Sequence, residues 1–244
     1  MPQIPKRDPS KVLKKHKSLS EMMNESKLKF VNMELKTFHF NPLMVNTYIV
    51  SDETGEAVII DPGNCRTYED SQIKDYITSK NLKIKYIINT HTHLDHIAGN
   101  PWCKKEFDAE LLMHKGAMGE YNRAYAYAAV FGFEQQQMPA PDRFLQEGDV
   151  VEFGNQELQV FYTPGHCEGS ICLYNAANKV IFTGDVIFEM CVGRSDLPTG
   201  NEVLLQQSIR EKILTLPDEV AILSGHGDAT TVGRERRSNP YITM

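Results

Sequence analysis

Residues 91–99 read HTHLDHIAG, which places three histidines and an aspartate within six consecutive positions. Imidazole nitrogens and carboxylate oxygens are ligands for zinc, iron or manganese. His91 and His93 stand two apart, so on an extended segment their side chains project to the same side and can grip one ion. Asp95 and His96 follow where the chain is expected to turn into a helix, in position to face a neighbouring ion. This spacing favours two metals over one. The alternative is a set of separate solvated polar turns, the ordinary explanation of a single such histidine.

Three more contexts of the same kind occur downstream: TPGHCEGS around His166, FTGDVIF around Asp185 and LSGHGDATT around His226. Each follows a strand-like run, and each has glycine beside the candidate ligand, which lets the backbone turn sharply and approach a site closely. These matching turns count against the polar-turn reading. The other histidines, His16, His39 and His114, lie apart from the motifs and read as ordinary surface or core residues. The five cysteines are an odd number without framework spacing, so reduced thiols in a cytoplasmic protein are expected. None lies at ligand spacing, which argues against a closed structural zinc site.

Strand ends must therefore carry the chemistry. MELKTFHF, NTYIVSD and EAVIID are three short β-rich runs separated by turn residues, and they predict a meander starting at Met33. Thr67 reads as the N-cap of a helix running to Lys80 with Ile73, Tyr76 and Ile77 on one face. The compact apolar run IKYIINT (84–90) predicts a buried strand that delivers His91 at its C-terminal end. The second half repeats the scheme: DVVEFG, LQVFYT, SICLYN and KVIFTG read as strands, Asn201 to Leu214 as a helix and EVAILSG as a last strand. Two face-to-face sheets with helices outside is the most economical arrangement.

A chain of 244 residues with a formal net charge of −6 is an ordinary globular protein whose charge disfavours nucleic acid as a partner. No apolar run approaches the length of a membrane span. Residues 1–32 are Lys-rich and lack strand patterning, so they are expected to form a flexible or loosely docked extension to a regular α/β domain over 33–244. They have no apolar stretch of a secretory signal.

In this order, HTHLDH, TPGH, TGD and GHG resemble the motifs of the metallo-β-lactamase superfamily from about Met33 to the C-terminus, and IIDPG, with Asp61 in a structural or supporting position, fits the same pattern. The resemblance implies an α/β protein with a four-layer αβ/βα sandwich and a metal site at one sandwich edge. It implies that His91, His93 and His166 hold a first metal, that Asp95, His96 and His226 hold a second, and that Asp185 bridges them. The ions implied are two divalent transition metals, zinc first, with iron or manganese as alternatives. Asp95 and Asp185 are the residues it implies for catalysis, Asp185 by fixing the metal separation and orienting the nucleophile.

True β-lactamases lack the bridging aspartate, whereas Asp185 is present. VGRSDLPTGN, SIREKILTLPDEV and GHGDATTVGRERRSNPYI resemble the short, single-domain glyoxalase II type. That likeness implies hydrolysis of a small-molecule thioester such as S-lactoylglutathione by a metal-bridging hydroxide, with homo-oligomerisation left open. Eighteen residues follow His226, so the C-terminal helical domain that grips glutathione in the long form is expected to be absent, and its glutathione-binding positions do not transfer. Arg194, Arg236, Arg237 and Tyr241 are candidates to meet a carboxylate-bearing substrate, although Arg194 reads equally well as an ion pair with Asp196. YNRAYAYAAVFGF (121–133) reads as a core helix with an aromatic stripe, or alternatively as pocket lining.

Two rival classes remain. Persulfide dioxygenases share the fold, the GR.D segment and the LP after the helix, but use one iron held by two histidines and an aspartate. Their counterpart of GHGDATT carries an alanine–histidine–aspartate–tyrosine run, and the GHG here favours the hydrolase. A metal-binding protein without catalysis is the other alternative. Since the extension carries only His16 among histidines, removal of residues 1–31 is expected to leave metal content and turnover intact. Loss of metal from a folded truncated protein would overturn that expectation.

Overall fold

The computed structural model describes residues 32–242; of the extension expected over residues 1–32, all but Asn32 lies outside the described residues. The predicted meander is present. Strands β1 (Met33–Phe40), β2 (Val45–Asp52) and β3 (Glu56–Ile60) pair antiparallel in chain order. Helix α1 (Thr67–Ser79) then crosses to β4 (Lys83–Ile88), which pairs parallel with β3. A helical turn α2 (Leu94–Ile97) and helix α3 (Asn100–Phe107) lead to β5 (Glu110–His114). The short helices α4 (Met118–Tyr121) and α5 (Ala124–Ala128) precede β6 (Arg143–Leu145). β4, β5 and β6 are parallel to one another and complete a six-stranded sheet in the order β1 to β6.

The second sheet is built from β7 (Val150–Phe153), β8 (Gln156–Tyr162), β9 (Ile171–Asn175) and β10 (Val180–Gly184). A small hairpin of β11 (Ile187–Phe188) and β12 (Cys191–Val192) stands apart from it. Helix α6 (Glu202–Ser208) follows, then β13 (Ala221–Ser224), β14 (Thr230–Thr231) and helix α7 (Val232–Ser238). The order across this sheet is β14-β13-β10-β9-β8-β7, with β10 and β13 parallel.

Alternation within the central strands explains the layering. Val58 and Ile60 of β3, Phe182 of β10 and Leu223 of β13 belong to one inner core that joins the two sheets. The intervening residues Ala57 and Ile59 face outward with Ile73 and Ile77 of α1. Ile181 and Ile222 face Leu205, Ile209 and Ile213 on the other side. Strands buried on both faces read as continuous apolar runs, because each face has its own layer of helices. The expected four-layer αβ/βα sandwich is therefore the fold. Among the described residues no helix is long and apolar enough to cross a membrane.

Local details differ from expectation for long-range reasons. Arg66, not Thr67, is the N-cap of α1. The buried Glu69 carboxylate accepts from the backbone N–H groups of Cys65 (2.7 Å), Arg66 (3.1 Å) and, across the fold, Asn41 (3.0 Å). The helix expected over 201–214 keeps Asn201 as N-cap, but α6 gives way to a π-helical turn over Ile209–Ile213. Buried residues four apart drift around an α-helix, and a wider turn returns Ile213 to the sheet. The single helix expected over 121–133 is broken. Tyr121 closes α4, α5 is a separate element, and a 3-10 turn ends at Gly132 in the left-handed conformation.

Glu69→Ala leaves three backbone donors, Asn41, Cys65 and Arg66, without their acceptor. A destabilisation of about 2–3 kcal/mol is expected by urea unfolding; an unchanged midpoint would show that water replaces the carboxylate at no cost.

Candidate metal centre

The parallel pairs at the middle of each sheet decide where the site forms. Asp61 follows β3, His91 follows the end of β4, Asp185 directly follows β10, and His226 lies just past β13. All four leave the carboxyl ends of parallel neighbours, where the chain opens a crevice. A hydrogen bond from Ile171 N–H to the Thr90 carbonyl (2.8 Å) and another from Asn46 N–H to the Gly225 carbonyl (2.7 Å) tie the loops of one sheet to those of the other. His166 enters from the loop between β8 and β9, and Asp95 and His96 from α2.

All seven residues singled out in the sequence come together there. His93 Nδ1 lies 3.1 Å from His91 Nε2 and 2.9 Å from His166 Nε2. His226 Nε2 is 3.0 Å from Asp95 Oδ2, and His96 Nε2 is 3.5 Å from the same oxygen. Asp185 stands between the two groups: Oδ1 is 3.4 Å from His96 Nε2, and Oδ2 is 3.8 Å from His166 Nε2 and 3.7 Å from His226 Nε2. His91, His93, His166 and Asp185 thus form one group with ligand-atom spacing, and Asp95, His96 and His226 another. All five described cysteines are free thiols, and none joins these groups.

The imidazoles are aimed by their other nitrogens, a recurring feature of histidine ligands. Asp61 accepts from Thr90 N–H (2.7 Å), Thr90 Oγ1 (2.6 Å) and His96 Nδ1 (3.0 Å), so the His96 Nε2 position faces inward. Thr90 Oγ1, its proton given to Asp61, accepts from His91 Nδ1 at 3.2 Å. His166 Nδ1 donates to the Arg194 carbonyl (2.8 Å). Asp61 also completes a geometric group with His91 and His96, but both of its oxygens are occupied by these donors, which makes it a positioning residue. The glycine of the GHG motif is required by space: a Cβ on Gly225 would lie 2.2 Å from Asp185 Oδ1 and 2.6 Å from His96 Cε1.

The electrostatics suit a cation. Burial, reinforced by neighbouring imidazoles, holds His91 well below the ordinary histidine range, and burial lowers His166 to about 4. Both are therefore neutral at pH 7 and able to donate a lone pair. Burial alone would raise the carboxyls of Asp95 and Asp185, but His96 and its neighbouring imidazoles outweigh it and keep both ionised. Burial would likewise lower His96, yet Asp185, Asp95 and Asp61 outweigh it and raise it well above the ordinary value. The cluster thus retains a positive charge at the place where a metal would supply one. His96 Nε2 and Asp185 Oδ1 are both buried without a hydrogen-bond partner, and a cation between the groups would satisfy both. The residues fit a metal centre.

Residues 40–226 match the metallo-beta-lactamase superfamily. The chain belongs to that superfamily. Hydroxyacylglutathione hydrolase GloC of Haemophilus influenzae is 33% identical over 212 residues, covering 86% of this chain and 98% of that protein. The mitochondrial persulfide dioxygenase ETHE1 of Mus musculus is 31% identical over 203 residues, covering 81% and 71%. The crystal structure of TTHA1623 in a di-iron-bound form superposes with a TM-score of 0.76 at 32% identity, covering 84% of this chain and 99% of that one.

As a superfamily member the chain presents its cluster at the floor of a cavity of about 450 Å³, walled by Leu43, Phe133, Phe188 and Leu197. A neighbouring cavity of about 310 Å³ shares His93, Leu94 and Leu197 with it and is lined further by Glu120, Arg123 and Tyr127. Arg194 does border the first cavity, but its guanidinium donates twice to Asp196 at 2.8 Å. Arg236 is bound by the carbonyls of Leu214 and Leu216 and by Asp218, and Arg237 by Asp218; neither lines either cavity. Nor does Tyr241. The core-helix reading of 121–133 is corrected for Tyr127, which is half exposed and faces the second cavity. His39 and His114 lie outside the cluster, as expected, although His39 touches Asn46.

Sequence reasoning missed Asn46 and Glu120. The Asn46 amide donates to the carbonyls of Ser224 (3.0 Å) and Gly227 (2.9 Å), holding the turn that carries His226. Glu120 Oε2 lies 3.8 Å from His93 Nε2. An amide near the start of a strand-like run was the one available signal for Asn46.

Asp61→Asn tests the positioning role. Asparagine tolerates the left-handed backbone at this position (φ 50°), but its amide would present N–H toward His96 Nδ1 and drive the imidazole proton onto Nε2. Metal affinity, measured by competition with a chromogenic chelator, is expected to fall about 10–100-fold with the fold retained. Unaltered affinity would remove Asp61 from the site.

Proposed function

We propose that the protein is a dinuclear metal-dependent hydrolase of a small thioester, with S-lactoylglutathione as the representative substrate. The observation that carries this reading is the convergence of two ligand groups with the Asp185 carboxylate between them. His91, His93 and His166 would hold one ion, Asp95, His96 and His226 the other, and Asp185 both. Zinc suits this donor set, and so does iron, the metal in the similar di-iron structure. When bound, two such cations lower the pKa of water to about 7 and polarise a carbonyl.

The chain's own groups do the rest. Asp61, Thr90 and the Arg194 carbonyl retain the outer imidazole protons, so the inner nitrogens stay available. Asp185 offers two charged oxygens, one toward each group, and is placed to orient a nucleophile. Leu43, Phe133, Phe188 and Leu197 exclude water around the reacting carbonyl. A thiolate is a good leaving group, so no separate protein acid is needed for its departure. The similarity to a hydroxyacylglutathione hydrolase supports the substrate class.

The similarity to a persulfide dioxygenase favours a second reading, a mono-iron oxygenase. A centre of two histidines and one aspartate would leave the remaining convergent side chains without a task, which favours the hydrolase.

Elemental analysis after mild metal loading is expected to approach two ions per chain, with S-lactoylglutathione or a related thioester hydrolysed above the metal-free protein. A ceiling of one ion, together with persulfide-dependent oxygen uptake and no thioester turnover, would transfer the protein to the oxygenases. Asp185→Asn keeps the side-chain shape but replaces two charged oxygens with one neutral oxygen. Turnover is expected to fall about 100-fold or more with unchanged circular dichroism; wild-type activity would refute the bridging role.

A further inference from the structure

The cavity beside the histidine–aspartate cluster holds a cation, Arg123, that no group among the described residues neutralises. Arg123 caps α5, and Tyr127 lies one helical turn further on, so the two side chains occupy the same face. Both line the cavity of about 310 Å³ that shares His93 with the cluster. Tyr127 is 51% exposed. Among the described residues no carboxylate pairs with Arg123 and its guanidinium makes no hydrogen bond, whereas Arg194 on the adjoining wall is closed by Asp196. Glu120 lies on the same wall, but it accepts from Thr199 Oγ1 (3.2 Å) and faces His93. A guanidinium without a partner among the described residues and a phenol on the same helix face, in a concave site with apolar walls from Leu94, Leu197 and Pro198, have the chemistry to receive a carboxylate.

We propose that Arg123 and Tyr127 anchor a carboxylate on the thiol half of the thioester substrate. The inference rests on the hydrolase reading and adds its specificity element. The cavity above Asp95, His166, Asp185 and His226 must receive the scissile carbonyl, since the nucleophile forms there. The Arg123 cavity touches none of these four and, of the seven cluster residues, only His93. A short acyl group ends within the first cavity, so the part of the substrate that reaches the second is the carrier. Arg123 accordingly selects carriers bearing a carboxylate, and Tyr127 donates a second hydrogen bond to the same group or supports the chain leading to it. Both are positioning residues; neither touches the reacting atoms.

The test uses metal-loaded full-length protein and two thioesters with the same acyl group: S-lactoylglutathione, whose carrier has carboxylates, and S-lactoyl-N-acetylcysteamine, whose carrier has none. Arg123→Ala is expected to raise KM for the first by about tenfold or more, with kcat within about twofold, and to leave the second unchanged. Arg123→Lys should recover part of the loss, and Tyr127→Phe should give a smaller rise. Equal effects on both thioesters, or none on either, would overturn the anchor while leaving the hydrolase standing. Calorimetric binding of S-methylglutathione, which cannot be hydrolysed at its sulfur, separates the two ideas. If neither thioester turns over but the wild-type protein binds S-methylglutathione about tenfold tighter than Arg123→Ala, the anchor stands and the hydrolase reading falls. Equal binding by both proteins would overturn the anchor.

Discussion

Asp95 and Asp185 are ionised carboxylates taken largely out of water, within 4 Å of imidazoles supplied by separate loops. Removing such charges from solvent is costly unless each finds a counter-charge and the geometry cannot relax. That constraint accounts for much of the architecture around it. The inner core fuses the two sheets, with Tyr48 and Phe182 meeting edge to face at a centroid distance of 5.2 Å. That packing holds the strand ends together. Hydrogen bonds across the seam, Ile171 to Thr90 and Asn46 to Gly225, then fix the loops themselves.

The orientation of the imidazoles depends on the same rigidity. A ligand nitrogen is useful only if its ring cannot rotate its proton inward, and each outer proton of His91, His96 and His166 has a named acceptor. The acceptors are a threonine hydroxyl, a buried carboxylate and a backbone carbonyl, held by different elements. The surface around the cluster is organised differently. The segment carrying Arg123 and Tyr127 consists of short helices outside either sheet, where side chains can vary without disturbing the inner ligands. The candidate ligands thus sit on strand ends and the loops beside them, and the wall of the neighbouring cavity on the inserted helical segment.

Much of the fold was legible because it depends on local periodicity. The apolar runs over 33–61, 84–90 and 150–184 became strands, and the meander followed from the turns between them. The four-residue spacing in the helix over 67–80 placed Ile73 and Ile77 inward, where they are buried. Helix α7 was not legible: VGRERRS has no apolar stripe. It docks through Val232 and through the buried Glu235, whose oxygens accept from Thr230 Oγ1, Met190 N–H and the Asn239 amide. Those partners are distant in sequence or belong to the turn geometry around the helix, so no periodic pattern announces them. β5 and β6 were passed over for a related reason: they are short, and parallel pairing with β4 completes them.

By itself the sequence determined which residues carry metal-ligating atoms and which of them are neighbours along the chain, because HTHLDH sets its own spacing. Tertiary structure decided everything that joins sites far apart in the chain. The sheet order places β10 beside β13 and the second sheet against the first, which brings His166, Asp185 and His226 to the HTHLDH segment. Asn46 grips the His226 turn 181 residues away, and the broken helix over 121–133 turns Arg123 and Tyr127 toward the cluster. Local spacing follows from covalent geometry, whereas these juxtapositions arise only when the two sheets bury their inner faces together.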